Sequence, residues 1–224
     1  MKKIIKVISG DPNSINSEII AKTWKKRKRL KNLNIFIIGN FDLIKKQFSK
    51  MGYEIKINKI NNLDVQNFKN KLNIYDVPLN FQNAFNVPYK NKKKYINDNF
   101  ETALELIKKK KIFGLVNCAI NKRDISSKGK TIGVTELLAK KNKVQGKEVM
   151  LIYNNSLSVS PITTHIRIKL VSKNLNKKKI INKTLTINNF FRKKLGFTPK
   201  IGVLGMNPHN DENKPGSEEK KIIF

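Results

Sequence analysis

The chain has 224 residues, enough for one large domain or two small ones, and its apolar residues, 39% of the total, fall in blocks that specify a folded protein. Forty-seven Lys and Arg against sixteen Asp and Glu give a formal charge of +31. These basic residues run along the whole chain without interleaved aromatics, so weak incidental polyanion binding is expected but no specific nucleic-acid surface. The single cysteine, Cys118, excludes an intrachain disulfide and a Cys-based zinc cluster; no apolar run nears membrane-spanning length, and no signal-peptide h-region follows the first lysines. A cytoplasmic protein without membrane contact is expected.

Residues 4–9 (IIKVIS) predict a first strand, ended by Gly10-Asp11-Pro12. Ser14, Asn16 and Ser17 then offer helix N-caps, and Glu18 suits the positive end of a helix dipole. The helix carries Ile19, Ile20 and Trp24 into a basic run at 25–31. A buried strand is expected at 34–39, then a helix over 41–51 closed by Gly52, then a half-buried strand over 53–60. Residues 61–95 read as loop. Phe100, Ala103, Leu104 and Ile107 mark one face of a helix over 97–111. Buried strands are expected at 113–120, 149–154 and 200–206, and helices at 135–141 and 186–195, the second ended by Gly196. Strands alternating with helices predict an α/β fold: a mainly parallel sheet with helices on both faces.

Gly10-Asp11-Pro12 lies where a strand hands over to a helix, the place where parallel α/β folds gather ligands. Taken alone, it is better explained as an ordinary capped loop. Neither GxGxxG nor a P-loop occurs. Cys118, within an apolar run and with no histidine near it in sequence, reads as a buried small residue. Lys122 is a candidate phosphate partner. Thr135, beside Glu136 at a helix start, can present both a hydroxyl and an N–H. His165 and His209 are the only histidines, each after a strand-like segment. Neutral imidazole is a common metal ligand, and Asp211 and Glu212 are available to ligate or to orient a ring. Spacing alone leaves isolated loop histidines as the simpler explanation.

Four segments in order add to this reading. They are "GDPNSINSEII", "GLVNCAINK" with "GVTELLA", "TTHIRI", and "GVLGMNPHNDENKPGSEE". Together they resemble the 4-hydroxythreonine-4-phosphate dehydrogenase family of vitamin B6 synthesis, from residue 4 to the end of the chain. The resemblance implies an isocitrate/isopropylmalate dehydrogenase-like fold. It divides the chain into an α/β domain (1–120), a dimer-interface domain (121–199) and a return to the first domain (200–224). It also implies NAD-dependent, metal-assisted oxidation, with decarboxylation, of 4-phosphooxy-L-threonine, a small phosphorylated amino acid.

The cofactors so implied are NAD and a divalent metal (zinc, magnesium or cobalt), in a homodimer whose metal site is shared between subunits. His165 and His209 match two metal-binding histidines; Thr135 matches a substrate-binding threonine and Lys122 the lysine of its motif. Gly10, Asp11, Pro12, Ile15, Glu18, Asn207, Glu212 and the pair Glu218-Glu219 keep further motif positions. Val134 stands where the family has a substrate-contacting histidine, Ala119 where it has proline, and Ser14, Asn16 and Ser17 where it has Gly, Gly and Pro. The family pattern continues past Phe224, where the third metal histidine and much of the cofactor site are expected, so this chain is read as truncated. A degenerate member that binds a phosphometabolite or metal without turnover is the alternative.

Overall fold

The computed structural model describes residues 3–30, 33–62, 70–109, 114–126, 133–164, 166–206, 209 and 214–223. It divides into two units, Met1–Val134 and Thr135–Phe224.

In the first unit, β1 (Lys3–Ile8) leads to α1 (Asn16–Lys25) and a 3-10 turn, Arg27–Leu30. Then come β2 (Leu33–Gly39), α2 (Phe41–Lys50), β3 (Ile57–Ile60), β4 (Leu72–Asp76), α3 (Tyr89–Lys108), β5 (Gly114–Asn117) and α4 (Lys122–Ile125). The five strands form one sheet of order β3-β4-β2-β1-β5, and each pairing is parallel. This is the expected α/β architecture.

Strand alternation sorts the side chains into two layers. Ile37, Leu72 and Ile74 meet Ile20, Ala21 and Trp24 of α1 and Ile44 and Phe48 of α2 in one core cluster. Lys6, Ile8, Phe36, Ile38 and Asn73 point to the opposite face, which α3 covers with buried Tyr95, Ile96, Phe100 and Ala103. Asn40 caps α2 by accepting from the Leu43 N–H at 2.9 Å.

Several elements differ from expectation. The segment 61–95, read as loop, contains β4, which lies between β3 and β2 in the sheet. Its second residue is Asn73, 1% exposed, whose Oδ1 accepts from Asn58 Nδ2 on β3 at 3.0 Å. An amide pair in place of an apolar one hides the strand signal. α3 begins at Tyr89 and buries Leu106, leaving Ile107 exposed, because buried Asn99 and Tyr95 rotate its inner face away from the purely apolar phase. β3 is only four residues long, against eight expected. β5 is an edge strand with Val116 exposed, where a buried one was expected.

The second unit contains α5 (Val134–Lys141, begun by the last residue of the first unit), α6 (Val171–Asn174), α7 (Lys177–Phe190) and α8 (Glu218–Ile222). A π-helical turn, Phe191–Leu195, extends α7 and ends on Gly196 at φ +83°. The strand expected at 149–154 is reduced to a single antiparallel bridge between Ile152 and Val159. That expected at 200–206 is not a strand, and its Val203 and Leu204 are exposed. Both segments are apolar, but among the described residues 149–154 is bonded across only at Ile152, which exchanges two hydrogen bonds with Val159, and 200–206 pairs with no strand. Among the described residues, the buried apolar side chains of this unit are Leu137, Ala139, Ile180 and Phe191. No helix among the described residues is long and apolar enough to cross a membrane.

Candidate functional site

The first motif lies at the carboxyl end of β1, between the ends of β2 and β5. Gly10 turns the chain at φ +75°, and a Cβ there would sit 2.5 Å from Asn16 Nδ2 and 2.6 Å from the Ala119 carbonyl oxygen. Only glycine meets both demands. Asp11 then organises the loop through its backbone and its carboxylate. Its N–H donates to the Ala119 carbonyl at 3.0 Å, and its Oδ1 accepts from the Asn13 N–H at 2.9 Å. Its own carbonyl accepts from Ser14 Oγ at 2.7 Å.

Three amide side chains fasten this loop to its neighbours. Asn16 Nδ2 donates to the Ala119 carbonyl at 2.7 Å. Asn13 exchanges two bonds with the Val87 backbone, Nδ2 to the carbonyl at 2.9 Å and the Val87 N–H to Oδ1 at 2.8 Å. Gln47 Nε2 donates to the carbonyls of buried Pro12, at 2.8 Å, and Ala84, at 2.7 Å. The N-cap position of α1 is Ile15, which has no side-chain cap; Ser14 Oγ instead accepts from the Asn16 N–H at 3.2 Å. Of the three polar residues expected to cap α1, none therefore does so as an N-cap, because Asn16 and Ser17 are already helical and buried. Glu18 lies in the first turn of α1 and pairs with Lys22 at 2.7 Å.

Charge is concentrated where α3 starts. Lys92 Nζ lies 2.9 Å from Asp124 Oδ2 and 3.4 Å from Asp11 Oδ2, and the three side chains are 13%, 2% and 12% exposed. One ammonium thus joins the first-motif loop to α4. Burial lowers the Lys92 pKa, but the hydrogen bond to Asp124 and the charges of Asp11 and Asp124 outweigh it and leave the pKa raised. Beside this triad, Tyr95 Oη accepts from the Asn40 N–H at 2.8 Å and lies 2.8 Å from Ser9 Oγ. Desolvation raises the Tyr95 pKa and keeps the phenol neutral.

Lys92, Asp124, Asn13 and Gln47 were not singled out by sequence. Lys92 is one of four lysines within residues 90–94, Asn13 lies inside the first motif but is not one of the positions kept there, and neither Asp124 nor Gln47 falls within a motif. Cys118 is half-buried against the first core cluster, and burial pushes its thiol up to about 11, against a nucleophilic role.

The remaining candidates are more dispersed. Lys122 opens α4, which Asn121 caps by accepting from the Arg123 N–H at 3.0 Å; its side chain is exposed. Thr135 is exposed in the first turn of α5, as expected, and Val134 is half-buried beside it. His209 is an exposed turn residue. His165, Asn207, Asp211 and Glu212 lie outside the described residues, as do the side chains of Glu218 and Glu219. Among the described residues there is no group of three or more His, Cys, Asp or Glu that could hold a metal ion. As a donor set, the two imidazoles suit a borderline divalent metal, with further ligands required to complete it.

A family model described as "Pyridoxal phosphate biosynthetic protein PdxA" matches residues 31–224. The chain is similar to the 4-hydroxythreonine-4-phosphate dehydrogenase of a Sulfurihydrogenibium species, 33% identical over 222 residues, which cover 96% of this chain and 66% of that protein. It is also similar to the D-threonate 4-phosphate dehydrogenase of Pectobacterium atrosepticum, at 29% identity over 238 residues, covering 100% and 70% of the two chains. The crystal structure of a 4-hydroxythreonine-4-phosphate dehydrogenase from Burkholderia phymatum has the same fold, with a TM-score of 0.84 at 23% identity, covering all of this chain and 69% of that one. The chain thus spans 66–70% of the length of these relatives.

Proposed function

The chain belongs to the family of the pyridoxal phosphate biosynthetic protein PdxA, and on that premise we propose that it serves the NAD-dependent, metal-assisted oxidation and decarboxylation of 4-phosphooxy-L-threonine. The observation that carries this reading is the family match across residues 31–224, which contains the threonine and both histidines of the ordered motifs.

In this reading His165 and His209 hold a divalent cation. The exposed ring of His209 is free to approach one. Bound there, the cation would polarise the reacting alcohol and stabilise negative charge on its oxygen. NAD would accept the hydride. Thr135 offers its hydroxyl and a first-turn N–H of α5 to the substrate, and Lys122 an ammonium to an anionic group. The tied loop Gly10-Asp11-Pro12 keeps the end of β1 fixed, so ligand binding there does not have to order it.

The apolar side chains left open on the second unit, among them Ile168 at 91% and Leu157 at 73% exposure, support a homodimer formed through that unit. The division into 1–120, 121–199 and 200–224, a metal site completed across the dimer and a cytoplasmic location belong to the same proposal.

Val134 favours a second reading. A half-buried aliphatic side chain offers neither a proton nor a hydrogen bond where the family has histidine, so the chain would bind a phosphorylated metabolite without turning it over. The relative that acts on D-threonate 4-phosphate, by its name, supports testing that neighbouring substrate as well.

Cobalt binding, followed by its visible absorption, and NADH formation from both substrates test these readings. The first predicts turnover with added metal, and metal affinity reduced by at least about tenfold in His209→Ala. Substrate binding without NADH formation, in protein shown to bind NAD and metal, would establish the second. Metal affinity untouched by His209→Ala would remove His209 from the site.

A further inference from the structure

We propose that the lysine-lined cleft at the N-terminal end of α7 binds a compact polyphosphate group, that is, a diphosphate or longer phosphate chain. None of its lining residues belongs to the motifs above, and the proposal does not depend on the dehydrogenase reading.

The cleft has a volume of about 500 Å³ and is bordered by Lys147, Lys178, Lys179 and Lys183, with Asn176 and Thr186 among its polar walls. No Asp or Glu lines it. That volume falls in the range of small-ligand sites, of about 300–1,000 Å³.

The placement of these lysines runs against helix electrostatics. The first turn of a helix is its positive end, where carboxylates are favoured and ammonium groups are not. α1 and α2 obey this, with Glu18 and Asp42 in their first turns and lysines in their last, and α3, which also opens on lysines without an acid, has Lys92 and Lys94 paired with carboxylates. α7 inverts it: Lys177, Lys178 and Lys179 open the helix, its first turn has no acid and its last turn no base. Lys183 follows Lys179 by one turn, the spacing at which like charges repel.

Two of the ammonium groups are held in place. Lys179 Nζ donates to the Asn174 carbonyl at 3.0 Å and Lys183 Nζ to the Glu148 carbonyl at 2.9 Å. The Lys183 pKa is lowered, first by burial and further by the charge of Lys179, against an opposing pull from Glu148. Fixed, mutually repelling cations around a hollow are a preorganised anion site, since a bound anion removes the repulsion that the empty cleft sustains.

Lysine-rich composition alone would scatter such residues without a pattern. In the first unit, Lys22, Lys59 and Lys94 each pair with a carboxylate, and Lys92 with two. Other lysines of that unit, such as Lys25 and Lys46, lie over rings instead; what sets the cleft apart is that four lysines share one hollow, with the Glu148 carboxylate acting on Lys183 alone among them. A single phosphate ester carries at most about two charges, whereas four ammonium groups match a chain of two or more phosphates.

The test is calorimetric titration of the intact chain, at physiological salt, with orthophosphate, pyrophosphate, tripolyphosphate and ADP. Pyrophosphate should bind at least about tenfold more tightly than orthophosphate, and Lys178→Gln/Lys179→Gln should weaken it by at least about tenfold. The control Lys108→Gln/Lys109→Gln, at the end of α3, should leave it unchanged. Removing first-turn lysines relieves the empty helix, so the cleft variant should also melt at a temperature no lower than the parent. ADP binding more tightly than pyrophosphate would assign the phosphate chain to a nucleotide; equal binding would assign it to the inorganic ion. Equal losses in the cleft and control variants, or orthophosphate binding as tightly as pyrophosphate, would overturn the proposal.

Discussion

The two units solve the problem of their apolar residues in opposite ways. In the first, the sheet is enclosed between α1 and α2 on one face and α3 on the other, with Phe36, Ile38, Ile74 and Phe100 all fully buried. In the second, Leu204 is 88% exposed and Ile168 91%, while few apolar side chains are buried among the described residues. A unit that seals its own core has its stability written into local packing; one that does not relies on surfaces brought to it. The first unit is therefore the frame and the second the adaptable part.

The largest expected effect breaks the comparison if it fails. Phe100→Ala should destabilise the first unit by about 3–5 kcal/mol, because a ring-sized cavity opens under the sheet. Phe190→Ala, on an exposed ring, should change stability by about 0.5 kcal/mol or less. Urea unfolding followed by Trp24, the only tryptophan and buried in the first core cluster, reports on the first unit directly, and equal effects would contradict the division.

Next in size is Lys92→Met, which leaves Asp11 and Asp124 buried beside each other and should cost about 3 kcal/mol. The folded Lys92 pKa lies above its ordinary value of 10.5, so its contribution is complete below pH 10.5 and is lost as the pH climbs through the folded value. The deficit of the variant should accordingly shrink in strong alkali.

Lys6 sharpens the point from the other direction and with a smaller effect. It is wholly buried on β1, its Nζ makes no hydrogen bond and lies 5.0 Å from the Phe36 ring centroid, and burial lowers its pKa to about 7. The unfolded chain then holds more protons between about pH 7 and about pH 10.5, and stability rises with pH across that window. Denaturant midpoints should show a gain of about 2 kcal/mol from about pH 7 to about pH 9, absent in Lys6→Met.

Much of this frame was legible. Runs such as Ile35–Ile38 leave little choice but a buried strand, and Gly10-Asp11-Pro12 announces a handover to a helix. What escaped was polar and buried: Asn73 concealed β4, Asn99 shifted the phase of α3, and Lys6 sat unnoticed in a core strand. Burial of a polar group depends on partners distant in the chain, and no local pattern encodes them. The same holds at the site. Asp11 belongs to a motif, but Lys92 looks like its neighbours until α4 brings Asp124 against it. Of the two histidines, His209 is an exposed turn residue and His165 lies outside the described residues, so their pairing rests on the motifs around them.

The close approach at Gly10 bears on how this loop can change over time. A substitution there meets one side chain, Asn16, one carbonyl, Ala119, and a left-handed backbone. Exchanging Asn16 for glycine would clear the first obstacle and leave the other two. A change at position 16 costs the loop its bond to the Ala119 carbonyl, whereas a change at position 10 needs the segment after β5 to move as well. Mutational paths through this corner are ordered, and the effects of changes at 10 and 16 should not be additive.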